Sequence, residues 1–185
     1  MVVYLKRRAD FVTYAQYAVT EYDVCLGSIY EENSSITVTG ERGVTLGDFA
    51  VMAGYIGVIA RAVPDRGVTE IVCTDILTAF SRPILYVGSG ASVEGFIADG
   101  LTAHFKTPGD PVYDMPYLSI TADSETPFIK PDTEGGLWNV KSYIAKARRL
   151  RRVFTVFTAG REELGVSIGA KTVPLHKVLF NDTAH

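Results

Sequence analysis

The chain has 185 residues, of which 47% are hydrophobic and 21% are charged, and its formal net charge is −3. This length suits one domain or two small fused ones, and the ordinary balance of apolar and charged residues excludes intrinsic disorder. The slightly acidic charge argues against a dedicated nucleic-acid-binding protein, which is usually basic. No apolar run reaches the ~18 residues of a membrane-spanning helix, and the N-terminus lacks the apolar core of a signal peptide.

Short β-like segments dominate the first ninety residues. Ile36 and Val38 alternate with threonines, which is the period-2 pattern of a half-buried strand. The clearest turn is Pro64-Asp-Arg-Gly67, where proline fixes φ and glycine tolerates a positive φ, so we predict a hairpin here. The predicted strands cover residues 2–6, 24–29, 36–40, 49–52, 55–63 and 69–74. Such a series predicts a small antiparallel barrel or sandwich.

The hydrophobic period becomes helical after Ser92. Ser92 is a suitable N-cap for a helix over 92–105, although Gly95 and Gly100 weaken that helix by ~1 kcal/mol each relative to alanine. A second helix begins after Asn139, and its apolar stripe is Val140, Tyr143, Ile144, Ala147 and Leu150. Strands are also predicted over 117–121, 153–159, 164–168 and 177–180.

These patterns predict a β-rich α+β fold with three parts. Residues 1–107 form a β-barrel-like or sandwich domain that includes the helix 92–105. Residues 108–136, which hold five of the eight prolines, form a Pro/Gly-rich linker or long loop. Residues 137–185 form a small α+β unit in which a helix lies against a short sheet.

Side chains that could carry catalysis or bind a metal are scattered along the sequence. His104, His176 and His185 are far apart, and Cys25 and Cys73 lie in apolar stretches, where we expect buried thiols. We therefore predict no metal site and no cofactor. The glycines of 88–92 lack the third glycine and the lysine of phosphate-binding loops, so this segment is interpreted as a turn into the helix.

Carboxylates offer an alternative, hydrolytic function. Asp75 directly follows a predicted strand, and Glu162 and Glu163 are adjacent. A small hydrolase or cell-wall-active domain would use Asp75, or this glutamate pair, together with His104. Asp75 is also well placed to cap a strand end or turn, which is its simpler interpretation.

The strongest charge feature is a basic run on the second helix. Six of the 18 basic residues lie within residues 141–152, while the other 12 basic and 21 acidic residues give the rest of the chain a charge of −9. A solvated helix face, a protein interface and a nucleic-acid site each fit this run. The candidate interface residues are Lys141, Lys146, Arg148, Arg149, Arg151 and Arg152.

One series of motifs resembles a known family. It comprises Gly47-Asp-Phe-Ala-Val-Met-Ala-Gly-Tyr-Ile-Gly-Val-Ile-Ala-Arg61, the turn 64–67, and Thr69-Glu-Ile-Val-Cys-Thr-Asp-Ile-Leu-Thr-Ala-Phe80. This series resembles the N-terminal barrel of bacteriophage tail-hub and baseplate-hub proteins, and residues 92–105 resemble the helix that follows that barrel. The helix before Val153-Phe-Thr-Val-Phe157 is similar to the second half of siphophage tail-tip proteins.

The resemblance implies a non-enzymatic structural subunit of a phage tail tip or baseplate. Such a hub-like subunit would assemble with itself into a closed ring, as a trimer or hexamer, and with other tail proteins. It would be made in the bacterial host cytoplasm and reside in the virion. The alternatives are the small hydrolase and a nucleic-acid-binding module that uses the basic helix 141–152.

Overall fold

A computed structural model describes residues 1–24, 34–40, 43–53, 55–110 and 112–170. The strands are β1 Val2–Lys6, β2 Thr13–Val24, β3 Ser34–Thr39, β4 Phe49–Met52, β5 Tyr55–Asp65, β6 Val68–Asp75, β7 Ile84–Leu85, β8 Leu118–Ala122, β9 Leu137–Trp138, β10 Phe154–Ala159 and β11 Leu164–Gly169. The helices are a 3-10 helix at Ile76–Phe80, α1 at Val93–Leu101, a π-helical turn at Thr102–Lys106, and α2 at Val140–Arg151. The fold is therefore α+β and β-rich, as predicted.

The first six strands close into an antiparallel barrel with the order β1-β2-β3-β6-β5-β4. Closure pairs every strand on both sides, so the barrel has no exposed sheet edge. Alternate side chains point inward and fill the interior; they include Val3, Leu5, Ile36, Val38, Ile59, Ile71 and Cys73. The sequence prediction of a barrel and of a buried Cys73 is confirmed.

The predicted hairpin is confirmed in detail. Asp65 pairs with Val68, and the two residues between them, Arg66 and Gly67, have φ values of 46° and 85°. Two central residues with positive φ define the type I′ turn that matches the twist of adjacent strands. Glycine adopts this conformation readily, whereas arginine is strained in it.

The sequence did not predict β2 before residue 24. This strand runs over Thr13–Val24 and pairs with both β1 and β3. Tyrosines and alanines occur on both of its faces, which hides the period-2 alternation that would have indicated it. The rest of the predicted strand 24–29, the predicted strand 177–180, Cys25, His176 and His185 lie outside the described residues.

A second layer packs against the outside of the barrel. Its sheet has the order β10-β11-β8, with β10 antiparallel and β8 parallel to β11. α1 packs against α2, β8 and β11, and the shared core reaches Phe11 and Phe49 on the barrel. The division of the chain at residues 107 and 136 stays a prediction.

A buried lysine joins the two layers. The Lys6 ammonium donates to the carbonyl oxygens of Phe11 at 3.2 Å, Gly160 at 3.0 Å and Arg161 at 2.7 Å, and it lies 4.6 Å from the centre of the Phe11 ring. Burial lowers the pKa of Lys6, and the charge of Glu162 partly opposes this. The three carbonyl acceptors match the three donor hydrogens of the ammonium and so compensate for the hydration that it loses on burial. The contact fixes the β10–β11 turn to β1.

Candidate interaction surfaces

The six predicted interface cations all belong to α2 or its C-terminal end. The helix begins at Asn139, whose side-chain oxygen accepts a hydrogen bond from the Ser142 amide at 2.7 Å. Its predicted stripe of Val140, Tyr143, Ile144 and Ala147 is buried. Leu150, which was expected to complete the stripe, is instead 50% exposed because the helix ends one turn beyond its core contacts.

Two of the six cations are engaged with the fold. Lys146 donates to the Asp132 carboxylate at 2.6 Å and to the Lys130 carbonyl oxygen at 2.8 Å, and its side chain is only 17% exposed. Lys141 lies close enough to Asp75 for its charge to lower the pKa of that carboxyl, against the larger upward effect of burial. Lys146 therefore joins α2 to the 130–132 segment, whereas Lys141 acts on Asp75 through its charge alone.

The other four cations cluster at the C-terminal end of α2. The Arg148 guanidinium lies 5.9 Å from the centre of the Phe154 ring. Arg152 adopts a left-handed conformation with φ of 54° and closes the helix through its amide, which donates to the Arg148 carbonyl oxygen at 3.0 Å. Cations at this end interact favourably with the helix dipole. We call the exposed tip, which is Arg149, Leu150, Arg151 and Arg152, the basic helix end.

A cleft near the opposite end of α2 was not predicted from the sequence. It has a volume of about 500 Å³ and lies between the C-terminal half of α1 and the two-stranded ribbon β7–β9. We call it the ribbon cleft. Its lining includes the side chains of Leu85, Val87, Phe96, Asp99, His104 and Trp138.

The floor of the ribbon cleft depends on close packing around Trp138. A Cβ atom at Gly100 would lie 2.9 Å from Cη2 of Trp138, so only glycine lets α1 approach this ring. Phe96 and Tyr143 hold the indole, with ring centres 4.6 Å and 5.7 Å away. Gly100 weakens α1 as a helix residue, and Trp138 is the residue that packs against it.

The ribbon beside the cleft exposes large apolar side chains. Leu85 pairs with Leu137 across β7 and β9, and these residues are 63% and 43% exposed. Val87, which follows β7, is 79% exposed. Isolated exposed apolar residues are ordinary, but several grouped at the rim of a cleft are typical of an interaction site.

One carboxylate faces this apolar surface. Asp99 is exposed at the cleft, and no side-chain hydrogen bond or ion pair engages it within the described part of the chain. Burial, helped by the charge of Arg82, lowers the pKa of His104, so this imidazole is neutral at pH 7. The cleft thus combines an aromatic floor, an aliphatic rim and one negative charge.

The candidate hydrolytic residues lie in different places. Asp75 caps the 3-10 helix, and its carboxylate accepts the Leu77 amide at 2.6 Å. Glu162 and Glu163 line a depression at the β10–β11 turn, whereas His104 lines the ribbon cleft. No group of three or more His, Cys, Asp or Glu residues in the described ranges is arranged to hold a metal ion.

The glycine-rich segment before α1 makes a turn into that helix. Gly88 has a φ of 86°, and the Ser92 hydroxyl accepts the Gly95 amide at 3.0 Å as an N-cap. Glu94 is buried and accepts hydrogen bonds from both the amide and the hydroxyl of Thr126. These polar groups hold the start of α1 in place.

Comparisons with known proteins found a likeness in solved structures. No protein-family model matches the chain, and no curated protein matches it. The structure is similar to the crystal structure of prophage tail protein gp18 from Listeria monocytogenes EGD-e, with 13% sequence identity and a TM-score of 0.49 over 90% of this chain and 50% of that one. The chain thus spans about half the length of that protein. In the described residues, no helix is long and apolar enough to cross a membrane.

Proposed function

We propose that this protein is a non-enzymatic structural subunit of a phage tail, acting as a hub-like ring component of the tail tip or baseplate. Among the described residues, the motifs of 47–80 and 92–105 that resemble tail-hub proteins lie on β4, β5, β6, the 3-10 helix and α1 with its π-helical turn. The observation that carries the proposal is the presence of two surfaces suited to partners, the basic helix end and the ribbon cleft with its exposed Leu85 and Val87.

The same surfaces support assembly as the main activity. A ring subunit needs at least two contact surfaces, one for each neighbour, and the chain carries two of opposite character on a small scaffold. Its partners would be further copies of itself, in a trimer or hexamer, and other tail proteins. It would be made in the host cytoplasm and become part of the virion.

Localisation in phage particles tests this function. Antibodies against the chain, applied to purified particles and viewed by electron microscopy, should label the end of the tail distal to the head. Disruption of its gene should leave filled heads without functional tails, and a plasmid copy should restore them. If purified infectious particles lack the chain, the proposal is wrong.

A nucleic-acid-binding module remains the second candidate, because Arg149, Arg151 and Arg152 are exposed together. Binding through phosphate contacts would weaken with salt, with a slope near −0.9 per neutralised phosphate in a plot of log affinity against log salt. Failure to bind duplex DNA or RNA at low salt would remove this candidate. The hydrolase hypothesis has less support, since its candidate residues lie on separate elements.

A further inference from the structure

The two surfaces have complementary chemistry. The ribbon cleft offers an aromatic floor of Phe96 and Trp138 and the carboxylate of Asp99. The basic helix end offers Leu150, which is half exposed, between arginines on both sides. An arginine side chain has an apolar stem and a charged planar head, so it can lie along an aromatic surface while its guanidinium binds a carboxylate.

One chain cannot bring these surfaces together. Trp138 stands two residues before α2, and Arg151 is the last residue of this 12-residue helix. At 1.5 Å per residue the helix separates them by about 18 Å. The helix is rigid and packed on both sides of its buried stripe, so only a second copy can supply a basic helix end to a given cleft.

We propose that the basic helix end of one copy docks into the ribbon cleft of the next copy. The arginines would pair with Asp99, and Leu150 would cover Leu85 and Val87. This inference rests on the proposed function and names the contact by which the ring forms. Since the two surfaces differ, the contact repeats head to tail and gives a ring when the rotation between copies closes.

The charges around the cleft favour a cationic partner. His104 is neutral at pH 7, as described above. Arg82, whose charge acts on His104, is itself paired with Asp110 at 3.1 Å. The ammonium of Lys130 lies 5.7 Å from the centre of the Tyr86 ring. The local cations therefore have other interactions, and Asp99 is available to an incoming arginine.

The test uses two variants of the full chain, each broken at one surface. Asp99→Arg alters the cleft and leaves the basic helix end intact. The triple change of Arg149, Arg151 and Arg152 to serine alters the helix end and leaves the cleft intact. Asp123→Arg and Arg66→Ser are matched controls at exposed positions on other elements. Circular dichroism and thermal melts establish that each variant folds.

Analytical ultracentrifugation gives the outcome. We expect the wild type and both controls to form a closed oligomer, and each interface variant alone to lose at least about tenfold in self-association affinity, as for hot-spot residues. A 1:1 mixture of the two interface variants should form a dimer and nothing larger, since it contains one intact junction. Unchanged assembly by either interface variant, or a mixture that stays monomeric, would overturn the inference.

A photo-crosslink identifies the contact directly. With p-benzoylphenylalanine in place of Val87, irradiation of the oligomer should attach residues 149–152 of another copy, as read by mass spectrometry. Attachment elsewhere on the chain, or to another tail protein only, would show a different occupant. Either of these crosslinking results contradicts this inference but leaves the proposed function standing. The same holds if the pure chain is monomeric and yet present in tails. A monomer that is absent from tails contradicts both.

Discussion

Substitution of Gly100 by alanine should destabilise the protein, which is the reverse of its usual effect in a helix. In an exposed helix, replacing glycine by alanine stabilises by about 1 kcal/mol. Here the new Cβ would lie 2.9 Å from Cη2 of Trp138 and 3.4 Å from Cγ2 of Val140. Trp138 is 6% exposed and is packed against Phe96 and Tyr143, so moving away from the new Cβ would disturb these ring contacts. Overpacking of this kind costs about 1–3 kcal/mol.

The two contributions predict a net loss of about 1 kcal/mol in the free energy of unfolding. For a chain of this length, that loss lowers Tm by about 2–4 °C. Denaturant unfolding followed by circular dichroism measures it, provided that the slope with denaturant is unchanged.

The control is the same substitution in a Trp138→Phe background. Phenylalanine lacks the second ring that carries Cη2, so the clash is removed and the helix-propensity gain remains. Gly100→Ala should then stabilise by up to about 1 kcal/mol, which gives a coupling energy of about 2 kcal/mol between the two sites. Equal stabilisation in both backgrounds would refute the close packing of α1 on Trp138 and, with it, the described floor of the cleft.

Three further predictions test individual features of the fold. Burial raises the pKa of Asp75 above its ordinary 3.8, so its protonated form favours folding: this contribution to stability is full below that pH and is lost as the pH rises through the folded-state pKa. Asp75→Asn keeps the helix cap and should remove this pH dependence. Unfolding experiments from about pH 3 to about pH 7 measure it. Lys146→Met should lower the free energy of unfolding by about 1 kcal/mol, because it removes two hydrogen bonds. Arg149→Met, on the exposed face of the helix, is the control and should change the free energy of unfolding by less than about 0.5 kcal/mol. Equal effects would contradict the different roles assigned to these two cations. Arg66→Asn should raise the thermal midpoint, since asparagine adopts positive φ at lower cost than arginine, and a lowered midpoint would argue against the type I′ turn.

The parts of the fold that the sequence predicted are those formed by local interactions. Strand alternation and the Pro64–Gly67 turn act between residues close in the chain, so the β5–β6 hairpin is visible in the sequence. The caps Ser92 and Asn139 likewise bind amides three residues away. The parallel pairing of Leu118–Ala122 with β11 joins segments more than forty residues apart, and no local pattern indicates it.

The candidate interface shows the same limit. Sequence spacing located six cations on one helix, but it could not separate Lys146, which contacts the 130–132 segment, from the three exposed arginines. That difference depends on a loop whose position is set by contacts distant in sequence. Counting charges along the chain therefore located the helix that carries these cations but not which of them are exposed.

The ribbon cleft could not be predicted for a further reason, because its walls come from three separate segments. Leu85, Asp99 and Trp138 meet only because Gly100 allows α1 to approach the indole and Tyr143 holds that ring from α2. The same α2 that positions Trp138 at one end presents the arginines at the other, so the two surfaces are held at a fixed distance. In the proposed docking, a rigid element with unlike surfaces at its ends lets each copy contact one neighbour through its helix end and another through its cleft, so the same contact can repeat around a closed ring.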